Sequence, residues 1–294
     1  MNRAAATVLT GLDAAREEIE NHYRDLHAHP ELGMSEHRTA ALAATALRDY
    51  GYDVTTGIAG TGVTGVLHNG PGPTVLLRAD MDALPVKEAT GLPYASTATV
   101  DRAGVEQPVM HACGHDVHVV CLLGSARLMA EARPAWHGTL IALFQPSEEN
   151  GDGARAMVAD GLTGKIPAPD VVLGQHVLPY PATAFGAASH TIEPQTASED
   201  ISEIPAAFGV PFTYWGLGGT DPAAFAGAVE KGTLFRDIPV NHSSRFAPVL
   251  QPTLDTGVTA LVVAALAWLG TGEDAGNPPP GTGQPGRDMG RSAT

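Results

Sequence analysis

The chain has 294 residues, 44% hydrophobic and 17% charged, enough apolar material for one large domain or two small ones. Its 17 Lys and Arg against 32 Asp and Glu give a net charge of −15, which argues against a nucleic-acid or anionic-membrane partner. Two cysteines eight residues apart, Cys113 and Cys121, argue against a disulfide framework; no apolar run reaches membrane-spanning length, and the charged first 20 residues lack a signal-peptide core, so a reduced, cytoplasmic protein is expected.

Leu9, Leu12, Ile19, Tyr23 and Leu26 recur near helical spacing and predict a helix over 4–29, which His-Pro-Glu-Leu-Gly at 29–33 breaks. Ser35 is the expected N-cap of a second helix, reaching about Tyr50 before Gly51. Two strands, 63–67 and 74–77, flank His-Asn-Gly-Pro-Gly-Pro and predict a hairpin-type turn. The second strand runs into Arg-Ala-Asp-Met-Asp-Ala-Leu-Pro at 78–85, and a polar loop follows to Val109.

The motif His-Ala-Cys-Gly-His-Asp at 111–116 packs a thiol, two imidazoles and a carboxylate into six residues. The apolar run 117–129 behind it predicts a buried helix, so the motif sits at a helix N-terminus, where a thiolate is favoured. Further strands are predicted at 138–144, ending in Gln-Pro-Ser-Glu-Glu-Asn, and at 171–174, ending in Gln-His-Val, with a short helix over 154–159 between them. Ser-Glu-Asp at 198–200 reads as an N-cap, 211–217 as a strand, and Gly218-Gly-Thr-Asp-Pro and Asn241-His-Ser-Ser as loops. A closing helix spans 254–269, and the Gly- and Pro-rich residues 271–294 predict a disordered tail. Strands alternating with helices predict an α/β fold in a single domain over 1–270, with a mixed, mostly parallel central sheet and helices on both faces.

Sites in such sheets gather at the carboxyl ends of strands. Asp80, Asp82, Glu148, Glu149 and His176 all fall just past a predicted strand end. The candidate metal ligands, in chain order, are Cys113, His115, Glu149, His176 and His242. Thiolate, imidazole and carboxylate together suit zinc, manganese or cobalt, with nickel a further choice, and disfavour magnesium. Five ligands exceed what one tetrahedral ion needs and suit two divalent ions sharing a bridge, for which Cys113 is the natural thiolate. With Glu149 as a ligand, Glu148 is free to act as general base and then general acid. Asp82 would orient a ligand through a hydrogen bond, with Asp80 a weaker candidate. Each residue alone has a plainer reading: Glu pairs are common on surface loops, and single histidines usually pack or cap. His111 and Asp116 read as supporting or capping residues. His22, His27, His29, His37, His68, His118, His137 and His190 read as structural or solvated.

Arg24-Asp-Leu-His-Ala-His-Pro-Glu-Leu and the segments beginning at Arg78, His111, Gln145 and Gly174 stand in one order that resembles the amidohydrolase branch of the aminoacylase/carboxypeptidase metallopeptidase family. That branch includes hippurate hydrolases and indole-acetyl-amino acid hydrolases. Ser198-Glu-Asp, Tyr214-Trp-Gly and Asn241-His-Ser resemble its C-terminal part, so the likeness runs from about Arg24 to Leu269. The resemblance implies a zinc-peptidase-like catalytic domain and the same five metal ligands. It also implies Glu148 as the base and hydrolysis of an N-acyl amino acid or related amide.

The chain departs from that family in one respect. Family members carry an inserted lid and dimerisation domain between the segments that hold His176 and Ser198. Only 21 residues separate these positions here, short of the ~50 a domain needs. The lid is expected to be missing, with the join near 187–195. Loss of the lid predicts a monomer and weakened hydrolysis, because water exclusion and an oxyanion donor go with it. A non-catalytic metal-binding remnant and a lid-less aminopeptidase are the competing readings.

Overall fold

The structure is a computed structural model that describes residues 2–187 and 199–270. The 271–294 tail, Ser198, His190 and all of the 187–195 join except Ala187 lie outside the described residues. The N-terminal region forms α1 (Arg3–Val8), a 3-10 turn and α2 (Leu12–Ala28) where one continuous helix was expected. α3 (His37–Asp49) follows, then β1 (Asp53–Ile58), β2 (Gly62–Asn69) and β3 (Thr74–Asp80). The loop to Val109 contains a small hairpin, β4 (Thr99–Arg102) with β5 (Val105–Pro108). After it come α4 (His115–Glu131), β6 (Gly138–Gln145), α5 (Gly153–Ala159), α6 (Leu162–Lys165) and β7 (Val171–Pro181). The last part holds α7 (Glu203–Phe208), β8 (Phe212–Thr220), α8 (Pro222–Glu230), α9 (Leu234–Asp237) and α10 (Thr253–Leu269).

The central sheet has the order β1-β2-β6-β3-β7-β8. β1, β2 and β6 pair antiparallel, whereas β6, β3, β7 and β8 pair parallel, giving the expected mixed α/β sheet. The expected hairpin between 63–67 and 74–77 does not form, because β6 lies between β2 and β3. β2 instead turns back on β1, a half-exposed edge strand whose sequence gives little hydrophobic signal.

Period-two alternation divides the strand side chains between two cores. Val75 and Leu77 of β3, with Leu140, Ala142 and Phe144 of β6, face a core shared with α2, α3, α4 and α10. Leu76, Ile141, Leu143 and Val172 face the other side, against Met157 of α5, Leu162 of α6 and Ile204 of α7. α4 is almost entirely buried, which explains why its apolar run shows so little one-sidedness. Helices thus cover both faces, as parallel strands require.

One buried charge joins the two halves of the chain. Arg78 of β3 is 2% exposed. Its guanidinium donates to Asp80 Oδ2 (2.7 Å), Gln145 Oε1 (2.9 Å) and Asp200 Oδ1 (3.3 Å), and pairs with Glu199 Oε1 (2.9 Å). The 198–200 motif therefore does more than cap. Glu199 accepts from Ile201 N, while Asp200 also accepts from Gln145 Nε2 and Ala154 N. Arg78→Met leaves these carboxylates buried without their cation and is expected to lower stability by about 3–5 kcal/mol, read by urea denaturation.

Candidate metal centre

The parallel register brings three strand ends together. Asp80 at the end of β3 lies opposite Gln145 at the end of β6, and Arg78 lies opposite Gly174 of β7. The loops beyond β3 and β6 carry Asp82, Glu148 and Glu149. His176 lies within β7, which runs five residues beyond it rather than ending before it. Cys113 and His115 enter at the start of α4. Gly114 between them has φ +84°, and a Cβ there would lie 2.4 Å from Val177 Cγ1.

Two triads of donor atoms converge, each with mutual distances within 4.8 Å: Cys113, His115 and His176, and Cys113, Glu149 and His242. Cys113 belongs to both. Its Sγ is 3.4 Å from His176 Nε2, and His242 Nε2 is 3.3 Å from Glu149 Oε2. His115 Nε2 lies 3.8 Å from both Glu149 Oε1 and Glu148 Oε2. Asp80 Oδ2 lies 3.7 Å from His115 Nε2 and Asp82 Oδ1 lies 3.2 Å from its Nδ1, so the structure brings all eight residues singled out from the sequence together.

The hydrogen bonds orient the donors. His115 Nδ1–H donates to Asp82 Oδ1 (3.2 Å), turning Nε2 inward. His176 Nδ1–H donates to the Val177 carbonyl (2.8 Å), leaving its own Nε2 to face Cys113. His115 Nε2 and Glu149 Oε1 are buried and have no hydrogen-bond partner. Buried polar atoms are almost always paired, so orphaned donors aimed at one another fit a cation between them. Without an ion the electrostatics favour the protonated forms, and burial outweighs the helix N-terminus that was expected to favour a Cys113 thiolate. Burial alone would lower the His115 imidazole, but Asp80 and further acidic neighbours hold it well above its usual range. Burial, with Asp80 next, pushes the Glu148 carboxyl up to about 8. Burial raises the Cys113 thiol to about 12, and a cation would stabilise its ionised form.

Several supporting residues escaped the sequence reading. His118 donates from Nδ1 to Asp80 Oδ1 (2.5 Å) and accepts from Val177 N at Nε2 (2.8 Å), and its ring packs 4.6 Å from that of His176. Its position one helical turn after His115 was the available signal. Asn241 Nδ2 donates to the carbonyls of Cys113 and Val177, both at 3.1 Å. Beside it His242 adopts φ +69° and donates from its backbone N to Ala112 O (2.8 Å). Non-glycine residues of this kind are uncommon and gather at functional sites. His111 is buried with neither ring nitrogen paired, and burial lowers it to about 4. Ser35 does not cap α3; the Glu31 carboxylate reaches Arg38 N and Thr39 N instead.

Donors of metal-ligand type, buried or half-buried except for the exposed His242, meet where the carboxyl ends of parallel strands face the start of α4 and define an α/β domain built around a metal-type site. Residues 76–291 match peptidase family M20/M25/M40, and the chain belongs to that family. It is 44% identical over 164 residues to hippurate hydrolase of Campylobacter jejuni, covering 55% of this chain and 40% of that one. It is 41% identical over 157 residues to N-acetyl-L-cysteine deacetylase of Bacillus subtilis, covering 53% and 35%. The Bacillus subtilis YXEP protein, described as a dinuclear metal binding peptidase of the M20 family, aligns with TM-score 0.51 and 34% identity over 58% of this chain and 45% of that one. The matched region thus spans less than half the length of each of these relatives.

A second buried network steadies the start of α4. His27 lies between Asp116 Oδ2 (2.7 Å) and Glu88 Oε1 (3.1 Å), and Asp116 also accepts from Val117 N. Burial alone would lower His27, but the two carboxylates outweigh it and raise it to about 10. The imidazolium therefore contributes stability that is full below its unfolded pKa of about 6.5 and is lost as pH rises through about 10. In metal-free protein, the stability advantage of wild type over His27→Gln is expected to be larger at pH 6.5 than at pH 10, compared by urea denaturation.

Proposed function

We propose that the chain is a metal-dependent amidohydrolase cleaving the amide bond of N-acyl amino acids or related amides over a binuclear centre. The observation that carries this reading is the sharing of Cys113 between two donor triads, with Glu148 beside them. Cys113, His115, Glu149, His176 and His242 would hold two divalent ions, zinc or manganese, with cobalt and nickel as further choices. Bound there, the ions would polarise the substrate carbonyl and make water a stronger acid.

Glu148 takes the proton from the attacking water and passes it to the leaving nitrogen. Burial raises its carboxyl, which suits the return of the proton to the leaving nitrogen. Asp82 keeps His115 in the tautomer that presents Nε2 and holds the backbone N–H groups of Glu148 and Glu149, each at 3.0 Å. Two relatives support the substrate class, since hippurate and N-acetyl-L-cysteine are both N-acyl amino acids. Two free cysteines accord with a reducing, cytoplasmic setting. Among the described residues no helix is long and apolar enough to cross a membrane.

The 21 residues between His176 and Ser198 favour a second reading, a metal-binding domain without its lid, monomeric and weak or inactive in hydrolysis. Metal titration alongside a panel of N-acyl amino acids and aminoacyl amides separates the two. Two equivalents of metal with measurable turnover are expected. Two equivalents with no turnover leave the non-catalytic reading, and cleavage confined to the aminoacyl amides supports an aminopeptidase. Glu148→Gln is expected to lower kcat by about 10²–10⁴-fold while both metals stay bound; unchanged turnover removes Glu148 from the mechanism.

A further inference from the structure

Glu36 has no task in the chemistry proposed above, yet its side chain is wholly buried. It stands at the N-cap position of α3 without capping that helix. Its carboxylate instead accepts from Ser147 N at Oε1 (2.8 Å) and from Thr61 Oγ1 at Oε2 (2.6 Å). Ser147 precedes Glu148 and has φ +52°, a left-handed conformation unusual for a serine. The next two N–H groups, of Glu148 and Glu149, go to Asp82 Oδ1 and Oδ2. Three successive backbone donors are thus held by two buried carboxylates, an arrangement in which a turn of N–H groups grips anionic oxygen.

The segment leading to Glu36 braces the same two loops. Ala83, next to Asp82, donates its N–H to Glu31 O (2.8 Å). Gly33 packs so closely on the β6–α5 loop that a Cβ there would lie 2.6 Å from Asn150 Nδ2 and 2.7 Å from Ser147 Oγ. Residues 31–36 therefore touch both the loop that carries Asp82 and the loop that carries Glu148 and Glu149.

We propose that Glu36 is a positioning residue for the metal centre: by holding Ser147 N–H it fixes the left-handed turn that aims Glu148 and Glu149 into the site. The functional part of this proposal rests on the reading of Glu149 as a ligand and Glu148 as the base. Side chains that orient ligands in this way typically contribute about 10–100-fold to metal affinity or activity. Gln at position 36 can preserve the contact, with its amide oxygen accepting from Ser147 N and its amide nitrogen donating to Thr61 Oγ1. Ala removes it, and Asp draws the carboxylate back by one methylene.

The test compares the 294-residue wild type, Glu36→Ala, Glu36→Asp and Glu36→Gln in two measurements. Amide hydrogen exchange on metal-free protein is expected to quicken at 147–149 in the Ala and Asp variants, on the order of tenfold, and to stay near wild type in Gln. Mn2+ titration is expected to show affinity reduced by about 10–100-fold in Ala and Asp and largely restored in Gln. If Ala does not fold, Asp carries the comparison. Exchange and affinity within twofold of wild type in the folded Ala or Asp variant would overturn the proposal, as would a Gln variant as impaired as Ala. Wild-type protein that takes up no Mn2+ or Zn2+ sinks the proposed function instead, while the exchange comparison still decides whether Glu36 holds the turn.

Discussion

The Asp82 carboxylate is the point on which the site depends. It is 1% exposed and receives His115 Nδ1–H on Oδ1 together with Glu148 N–H, while Oδ2 takes Glu149 N–H. Each hydrogen bond to a charged group is worth about 1.5–3 kcal/mol, and three of them offset the cost of burying a carboxylate away from water. The geometric consequence matters more than the energy. One side chain just beyond β3 sets the tautomer of a histidine at the head of α4 and the backbone of the loop after β6. Elements joined only through the sheet become rigidly related at their ends, and pre-organisation of this kind is what a binding site needs.

A similar logic runs one layer below. Asp80 would be costly to bury alone, but Arg78, then His115 and His118, hold its carboxyl well below its usual range despite desolvation. His118 in turn accepts the Val177 N–H, next to His176. The chain Arg78–Asp80–His118–Val177 connects the middle of the sheet to the strand that presents a candidate ligand. Buried charges are expensive singly and informative in networks, because each member fixes the direction of the next.

Asp80, Asp82, Glu148 and Glu149 were legible in the sequence because they follow apolar strands, and Cys113 and His115 because they head an apolar helix, whereas His242 stood out only through the motif order. An apolar strand ended, and a carboxylate came next. Parallel strands align their carboxyl ends, so that pattern by itself predicts convergence. What escaped was non-local or weakly patterned. β1 is half-exposed, and the pairing of β2 with β6 spans a long stretch of sequence in which β3 looks like the nearer partner. Glu36 looks like an ordinary residue at a helix start, and only the fold brings Ser147 to it. Asn241 resembles any loop amide until its two carbonyl partners, 128 and 64 residues away, are in view. Orienting residues act through partners that sequence spacing does not encode, whereas ligands are recognisable by their own chemistry.

The topology also explains how a site of this kind tolerates change beside it. β7 and β8 pair in parallel out to Pro181 and Thr220, so the connection leaving β7 departs from the end of the sheet where the donors lie. The chain is picked up again at Glu199 and Asp200, which Arg78 fastens to β3 and Ala154 N to α5. Both ends of the connection are therefore anchored independently of whatever lies between them. Cys113, His115, Glu149, His176 and His242 are all held by contacts outside that connection, to Asp82, to the Val177 and Ala112 carbonyls, and through Asn241. A segment at that connection therefore joins elements that are already held by contacts of their own. Donor geometry and the make-up of that connection are in this sense separable properties of the architecture.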